Sequence, residues 1–449
     1  MKYTGGDIKR LGESIVKNNG YVSDDDLDLL QEYRKSYTEP LSLTFNTLVQ
    51  IKNNVGRDGI IAFRLKRIRT IINKVLRNPK MQLNRMGDIA GVRLILKNDD
   101  QILKALKLIE SEFEISGNIR DYLKEPKKIG YRGLHVYIKD PKHGKRIEVQ
   151  LRTREDHNWS TLVEITDLLY STRLKELGYN NNPELGEFHS LISSKEELTE
   201  KQANHLYNVL KKYNFIDKLS RTFRRNNAEV KKQWHAVGAR SKYFLIESST
   251  EDVPKLMGFD NYDKAEEAYF NSYKKDSEAL IVLTAIQKPS FEQISVAYAN
   301  YILSYHTFIK DIEPIIKTLA LEALEQGKIR RFKNIFETYE ELEANSIVHI
   351  FTGKADLYVS RKKNRLILSS SEKISTRKQK LIRTEINQEL RTRIESNRVF
   401  MLEIADLTSG ISPKKILCRS FLKKNSKRIK KRLKDLEVEF NVKASSKLK

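Results

Sequence analysis

Apolar residues recur along the first 170 positions with two periods, and the period decides the element. Between residues 59 and 78, Ile61, Leu65, Ile68, Ile72 and Val75 recur at three- to four-residue intervals, which predicts an amphipathic helix. Lys66, Thr70 and Lys74 fall at i, i+4 and i+8 on another face of that helix, with Arg64 and Arg67 nearby. Residues 89–96 read as a strand and 101–113 as a helix. From residue 134 the period is two: Leu134, Val136 and Ile138 face the core, while His135 is in phase with Tyr131, Gly133 and Tyr137. Ile147, Val149 and Leu151 make the apolar side of a second strand, leaving Glu148, Gln150 and Arg152 together on its other side. The turn Pro141-Lys142-His143-Gly144 joins the two strands, and residues 154–170 continue as helix. The order strand, helix, strand, strand, helix predicts a mixed α/β core.

Residues 1–50 read as helices leading into that core, and 185–229 as helices closing the first domain. Strands at 243–247 and 279–286 surround a helix at 262–273, and a long amphipathic helix follows over 291–321. Two apolar strands within 346–370 flank Arg361-Lys362-Lys363-Asn364, a hairpin tip, and 375–394 is a charged helix. The expected domains are 1–229, with a motif core at 45–170; an α/β accessory or regulatory domain at 230–330; and a basic C-terminal region at 331–449 with a β-hairpin and a helical tail.

A chain of 449 residues with 39% hydrophobic and 32% charged residues has material for two or three soluble domains. Its single cysteine, Cys418, excludes an intramolecular disulfide and a Cys-rich metal site. No apolar core like that of a signal peptide lies in the first 20 residues, and no apolar run is long enough to span a bilayer, so a cytoplasmic location with no membrane partner is expected. The net charge of +24 sits in two blocks: +13 in residues 51–152 and +11 in residues 411–449. The first coincides with the polar strand face, as polyphosphate binding requires. The second is a tail that reads either as a solvated end or as a contact for RNA or another polyanion, with Ile429, Leu433 and Leu436 at helical spacing for docking.

A carboxylate, an amide and a guanidinium on one side of a strand suit metal-bound phosphates. Upstream, Arg85-Met86-Gly87-Asp88-Ile89-Ala90-Gly91-Val92-Arg93-Leu94-Ile95 sets one acid at the mouth of an apolar strand. Between them lie Asp121-Tyr122 and Pro126-Lys127-Lys128-Ile129-Gly130-Tyr131-Arg132-Gly133-Leu134-His135. In order and spacing these segments resemble the synthetase domain of the RelA/SpoT family, the pyrophosphokinases that make the alarmone (p)ppGpp. The resemblance covers residues 45–170 and implies a mixed-sheet, nucleotidyltransferase-like fold with flanking helices.

The resemblance implies that Asp88 ligates Mg²⁺ and that Glu148 is the second ligand or the general base for a ribose 3′-hydroxyl. It puts Arg64, Lys66, Thr70, Lys74 and Arg93 on ATP, with Arg64 and Arg93 clamping the adenine. Lys127, Lys128, Gly130 and Tyr131 become the acceptor loop, Tyr131 stacking the base, while His135, Gln150 and Arg152 complete that side. His157 and Trp159, opening the next helix, read as packing residues. Where the family commonly has Arg-Ser-Leu-His, this chain has Arg132-Gly133-Leu134-His135, and Arg154-Glu155-Asp156-His157-Asn158-Trp159 departs from the long enzymes. Both departures are closer to the small and toxin-type branches. The implied reaction is transfer of the β,γ-pyrophosphate of ATP to the 3′-hydroxyl of GDP or GTP. The alternatives are the same transfer to the 3′ CCA end of tRNA, as a toxin or phage-defence effector answering to an antitoxin or a phage trigger protein, and a catalytically silent RNA-binding regulator. No histidine precedes an Asp, so the His-Asp hydrolase activity of bifunctional members is not expected.

Overall fold

The computed structural model describes residues 3–56, 58–194, 198–215, 241–248, 253–277, 280–287, 326–336, 357–362, 365–370, 375–406, 412–434 and 438–441, with short pieces at 218, 229–230, 233–234, 236–237, 289, 293–294, 297–298, 319–320 and 322–324. The chain divides into two compact units, Met1–Ser193 with Lys232–Ser304, and Ser194–Lys231 with Tyr305–Lys449.

The first unit is built on an eight-stranded sheet. Its strands are β1 (Ile60–Leu65), β2 (Ala90–Leu96), β3 (Arg120–Asp121), β4 (Leu134–Lys139), β5 (Arg146–Thr153), β6 (Tyr243–Ser248), β7 (Lys255–Phe259) and β8 (Leu280–Ile286), in the order β3-β4-β5-β2-β1-β8-β6-β7. Among the described pairings of this sheet only β2 with β5 is parallel. A parallel pair cannot be closed by a hairpin, and the connection from β2 to β5 accordingly runs through a helix, α5 (Asp99–Glu112), and the β3–β4 arm. Asn98 caps α5 by accepting from the Gln101 N–H, and Thr153, the last residue of β5, caps α6 (Arg154–Tyr170) by accepting from the Asp156 N–H. Helices α1 (Gly5–Lys17), α2 (Asp24–Lys35) and α3 (Thr38–Val55) contribute Ile8, Leu11, Ile15, Leu30, Leu41 and Leu48 to the core that covers one sheet face.

Two sequence expectations fail here. Residues 59–78 are not one helix: 60–65 form β1, and α4 (Ile68–Arg77) starts only after Arg67. Ile61 and Leu65 are four residues apart, a spacing in phase for a strand as well as a helix. The run Ile-Ile-Ala-Phe, buried between β2 and β8, is the signature of a central strand instead. Nor does a separate domain begin at 230. β8 pairs with β1, with Phe63 opposite Ala285, and the Thr284 hydroxyl donates to the Phe63 carbonyl at 2.8 Å. Residues 243–286 therefore extend the first sheet, because the edge of β1 needs a partner for its backbone groups. Residues 194–229, expected to close this domain, fall in the second unit.

A buried ion pair ties these distant segments together. Arg34 of α2 meets Glu266 of the helix Tyr262–Lys275, and both side chains are 0% exposed. Arg34 Nε donates to the Lys66 carbonyl at 2.7 Å, Gln31 donates to Glu266 at 2.8 Å, and the Tyr269 hydroxyl accepts the Ile68 N–H at 3.0 Å. That N–H opens α4, whose N-cap residue Arg67 makes no side-chain cap bond, so Tyr269 supplies it.

In the second unit, β9 (Leu357–Lys362) and β10 (Arg365–Ser370) form an antiparallel pair and β11 (Val438–Asn441) joins β10 in parallel. Arg361 and Lys362 stand at the predicted tip; Lys363, Asn364 and residues 346–356 lie outside the described residues, as does most of the expected helix 291–321. The helices Thr376–Asp406 and Pro413–Lys434 complete the described part. Ile429 is buried, Leu433 is half-buried, and Leu436 lies outside the described residues.

Candidate functional site

The sheet register converts alternation into a surface. Arg64 stands opposite Gly91, Gly91 opposite Glu148, and Glu148 opposite Tyr137. One step along, Ala62, Arg93, Gln150 and His135 make the next row. These residues share a sheet face and line one cavity of about 280 Å³, together with Lys66, Lys74, Asp88, Arg120, Lys127, Tyr131 and Arg152. Gly91 also lines the cavity, so β2 adds no side chain there between Arg64 and Glu148.

Asp88 sits in the turn before β2. Its Oδ2 accepts from Lys66 Nζ at 2.9 Å and from Lys74 Nζ at 2.7 Å. Burial works against the charge on Asp88, but Lys66 and Lys74 outweigh it and hold the carboxyl below the usual range, even with Glu148 nearby. Burial lowers Lys66 despite its bond to Asp88. The other oxygen, Oδ1, is buried and has no hydrogen-bond partner. Among the described residues no group of three or more His, Cys, Asp or Glu could cage a metal. An orphaned carboxylate oxygen beside a second carboxylate fits Mg²⁺, which favours one or two carboxylates plus substrate phosphates over an all-protein cage.

Glu148 is 8% exposed. Its Oε1 accepts from His135 Nδ1 at 2.9 Å and from the Tyr137 hydroxyl at 3.2 Å, and its Oε2 accepts from Gln150 Nε2 at 2.7 Å. Burial pushes its pKa up; His135, Gln150 and nearby Lys66 more than offset this, and the carboxyl is held well below its usual range. Burial lowers His135 more than its bond to Glu148 raises it, so the ring is neutral near pH 7. With Nδ1–H donated to Glu148, Nε2 accepts from the Tyr131 hydroxyl, which in turn accepts from Arg152 Nη2 at 2.7 Å. Arg152 also donates to Gln150 Oε1 and Ser160 Oγ, each at 3.1 Å.

At the opposite end, Arg93 Nη1 donates to the Ala297 carbonyl at 3.3 Å, and Tyr298 lines the cavity. Burial, with Arg152 and Arg64 close by, pulls Arg93 down to about 10. The Tyr298 hydroxyl is bonded to Thr284 and donates to the Phe63 carbonyl at 3.3 Å. Lys175, half-exposed, pairs with Glu164 beside these arginines and lines the cavity.

The loop expected to take the acceptor is a turn in which the Gly130 N–H donates to the Lys127 carbonyl at 2.7 Å. Gly130 has φ +95°, and any side chain there would collide with Ser193. Lys127 Nζ lies 5.2 Å from the Tyr131 ring centre and 4.9 Å from that of Tyr122, while the Arg152 guanidinium is 4.9 Å from the Tyr131 ring. Tyr122, His135 and Trp159 meet Tyr131 edge-on. Two cations thus stand within about 5 Å of the Tyr131 ring centre. Gly133 adopts φ +142°, and a Cβ there would lie 3.1 Å from the Leu151 carbonyl and 3.2 Å from Arg152 Cγ. Gly rather than Ser at this position thus keeps Arg152 against Tyr131.

Not every expected residue converges. Thr70 is absent from the cavity lining, and its hydroxyl donates to the Arg67 carbonyl at 2.8 Å. Lys128 is exposed and off the lining, its carbonyl accepting from Ser190 at 3.1 Å. His157 is 1% exposed, and Trp159 lines the cavity while donating to the His189 carbonyl at 2.8 Å. Arg120, Tyr122, Tyr137, Lys175 and Tyr298 line it without having been assigned. Tyr137 carried a signal, being in phase with His135, and Tyr122 stood in a segment that carries the resemblance; β3, which holds Arg120, is too short to show a period.

Residues 63–174 match the family described as "Region found in RelA / SpoT proteins". Over 100 residues the chain is 36% identical to the probable GTP diphosphokinase RSH2, chloroplastic, of Arabidopsis thaliana, covering 22% of this chain and 14% of that one. Over 140 residues it is 28% identical to the GTP pyrophosphokinase YjbM of Bacillus subtilis, covering 29% of this chain and 66% of that one. The small alarmone synthetase 1 of Bacillus subtilis, solved with its product pppGpp, aligns at 20% identity and a TM-score of 0.32 over 41% of this chain and 96% of its own. The chain thus spans less than two thirds of the length of these two curated relatives. Strands β2 to β5 and the second half of β1 fall inside the matched span, as do both carboxylates, so the RelA/SpoT match of residues 63–174 covers the strand face that lines the cavity.

Proposed function

We propose that this cavity transfers the β,γ-pyrophosphate of ATP to the ribose 3′-hydroxyl of GDP or GTP. The observation that carries the reading is a single cavity in which two carboxylates, Asp88 and Glu148, are ringed by Lys66, Lys74, Arg93, Arg120, Lys127 and Arg152. Phosphoryl-type transfer asks little covalent chemistry of a protein; it asks for positioning and for charge aimed at the transferred group. Asp88 and Glu148 are the residues that would hold Mg²⁺, which when bound offsets triphosphate charge.

Lys66 and Lys74 neutralise Asp88 in the free site and are within reach of phosphate oxygens, so they exchange one anion for another as ATP enters. Arg64, Arg93 and Tyr298 form the end that receives the donor base, and Arg120, Lys127 and Arg152 the end that receives acceptor phosphates. Glu148 is a weak base in the free site. Polyphosphate charge beside it raises its affinity for a proton, and it then accepts the proton of the 3′-hydroxyl. His135 and Tyr137 orient that carboxylate.

A second reading, the same transfer to the 3′ end of tRNA, is favoured by the basic helix Pro413–Lys434. Incubating the protein with ATP labelled at its γ-phosphate, Mg²⁺ and either GDP/GTP or bulk tRNA tests both. Label moving to the guanosine nucleotide supports the first reading and label moving to tRNA the second. No transfer to either, with intact ATP, refutes the assignment of the cavity.

A further inference from the structure

The helix Pro413–Lys434 has eleven Lys or Arg among its 22 residues and no Asp or Glu. Its apolar side is occupied: Cys418, Leu422, Asn425, Ser426 and Ile429 are buried at helical spacing. Lys423, Lys424, Lys427, Lys431 and Lys434 fall on the opposite side and are exposed. Lys423, Lys427 and Lys431 follow one another at i, i+4 and i+8, a rise of about 6 Å per step. Like charges at i, i+4 destabilise a helix, and a face meant only for water would be better served by alternating signs. A one-signed row is instead complementary to a regular polyanion. A membrane surface is the poorer match, because an interfacial helix needs its apolar side free and this one has it buried.

The first turn of the same helix leads to a concavity. Lys414 lines a depression of about 800 Å³ together with Lys328, Arg330 and Arg331, walled by Tyr207 and Asn208. Its volume suits a nucleotide with its base unstacked, and amide and aromatic groups among cations are the means by which single-stranded RNA is held. A helix lying flat along its unit cannot enter a DNA major groove, whereas phosphates of a flexible strand can follow its exposed row.

We propose that the Lys423–Lys427–Lys431 row and the depression at Lys414 form a binding surface for single-stranded RNA, with the row taking backbone phosphates and the depression a splayed nucleotide. This surface is independent of the pyrophosphokinase reading, and its test needs no ATP. The full chain is titrated into a fluorescent 12-nucleotide single-stranded RNA, a duplex DNA of the same length, and anionic phospholipid vesicles. For three to four phosphate contacts at a slope of about 0.7 each, RNA affinity should fall roughly 20- to 50-fold from 50 to 200 mM salt. Lys423→Glu/Lys427→Glu/Lys431→Glu should weaken RNA binding at least about tenfold and flatten the salt slope by about 2. A control with the same charge loss on exposed lysines of the first unit, Lys9→Glu/Lys17→Glu/Lys107→Glu, should bind RNA within about twofold of the unaltered chain. Helical circular dichroism should stay level in both variants, since every altered lysine is on an exposed helix face. Equal loss in the control, unchanged binding by the helix variant, or tighter binding to duplex DNA or vesicles would each overturn the proposal.

Discussion

On the sheet face of the first unit, cations and anions are interleaved: Lys66 and Lys74 share one oxygen of Asp88, and Glu148 is wrapped by His135, Tyr137 and Gln150. On the helix Pro413–Lys434, cations stand without one acid among them and project away from its buried side. Both blocks contribute similarly to the net charge, yet they do different physical work. Charge taken out of water must be paired or have its pKa moved, so Asp88, His135 and Glu148 are fixed in position and shifted in pKa. Charge left in water is screened and mobile, and acts by number rather than by geometry. The cavity should therefore respond sharply to single isosteric changes, and the helix only to changes in total charge.

The most severe break in that contrast is Glu148→Gln. The amide preserves shape and removes both the anion and the proton acceptor. Pyrophosphate transfer should fall by about 10²–10⁴-fold with the fold intact, measured with labelled ATP at saturating nucleotide. Asp88→Asn should act alike, with partial recovery at raised Mg²⁺. Near-normal transfer by either variant would mean that the two carboxylates are structural partners of the lysines and nothing more.

Next in size is the buried pair outside the matched segment. Arg34→Met leaves Glu266 buried without its partner, and such breaks cost about 3–5 kcal/mol. Denaturant unfolding should register that loss, and Arg34→Met/Glu266→Met should recover much of it, because two apolar groups replace a desolvated pair. A double variant as unstable as the single one would show that the hydrogen bonds to Lys66 and Gln31 matter more than the charge.

This pair also marks where sequence reading stops. Glu148, Gln150 and Arg152 were legible because strand alternation is local, and β4 and β5 lie where the apolar period placed them. Arg34 and Glu266 are 232 positions apart, and β8 finds β1 across a similar interval. Amphipathic patterning tells each segment that it has a buried side without naming what covers it. The same ambiguity let Ile61 and Leu65 pass for a helical stripe. Within the site, Asp88 was recognisable from its place before β2. Its grip by Lys66 and Lys74 follows from where β1 ends and α4 begins, and the helix predicted over both had erased that break.

A smaller effect separates the two regions by pH. His135 is lowered by burial and Glu148 by its donors, so in each case the unfolded chain binds the proton first. Stability is then complete above the unfolded histidine value of about 6.5, and falls as pH drops below it, at up to about 1.4 kcal/mol per pH unit for one proton. The carboxylate adds its own loss below about 4.3. His135→Gln should make the first decline shallower, leaving the share of His189, which burial lowers to about 3, and should leave the second unchanged, as read from unfolding curves between pH 4 and 8. The helix Pro413–Lys434 has no His, Asp or Glu, so Lys→Met substitutions there should leave the profile unchanged. An unaltered decline in the His135 variant would assign it to another group.

The smallest effect expected comes from Lys427→Glu. It replaces two like-charge neighbours, Lys423–Lys427 and Lys427–Lys431, by opposite-charge ones at i, i+4. Each such pair is worth about 0.2–0.5 kcal/mol on a helix surface, and the arrangement with Glu preceding Lys is the better of the two. The variant should unfold at a slightly higher denaturant concentration at low salt, with the gain disappearing near 1 M salt, where the Debye length is about 3 Å. A stabilising change that weakens RNA binding would show that the one-signed face is kept at the expense of the fold. A destabilising one would mean that Lys427 is already paired in a way its exposure conceals, and the contrast between the two regions would narrow to one of burial alone.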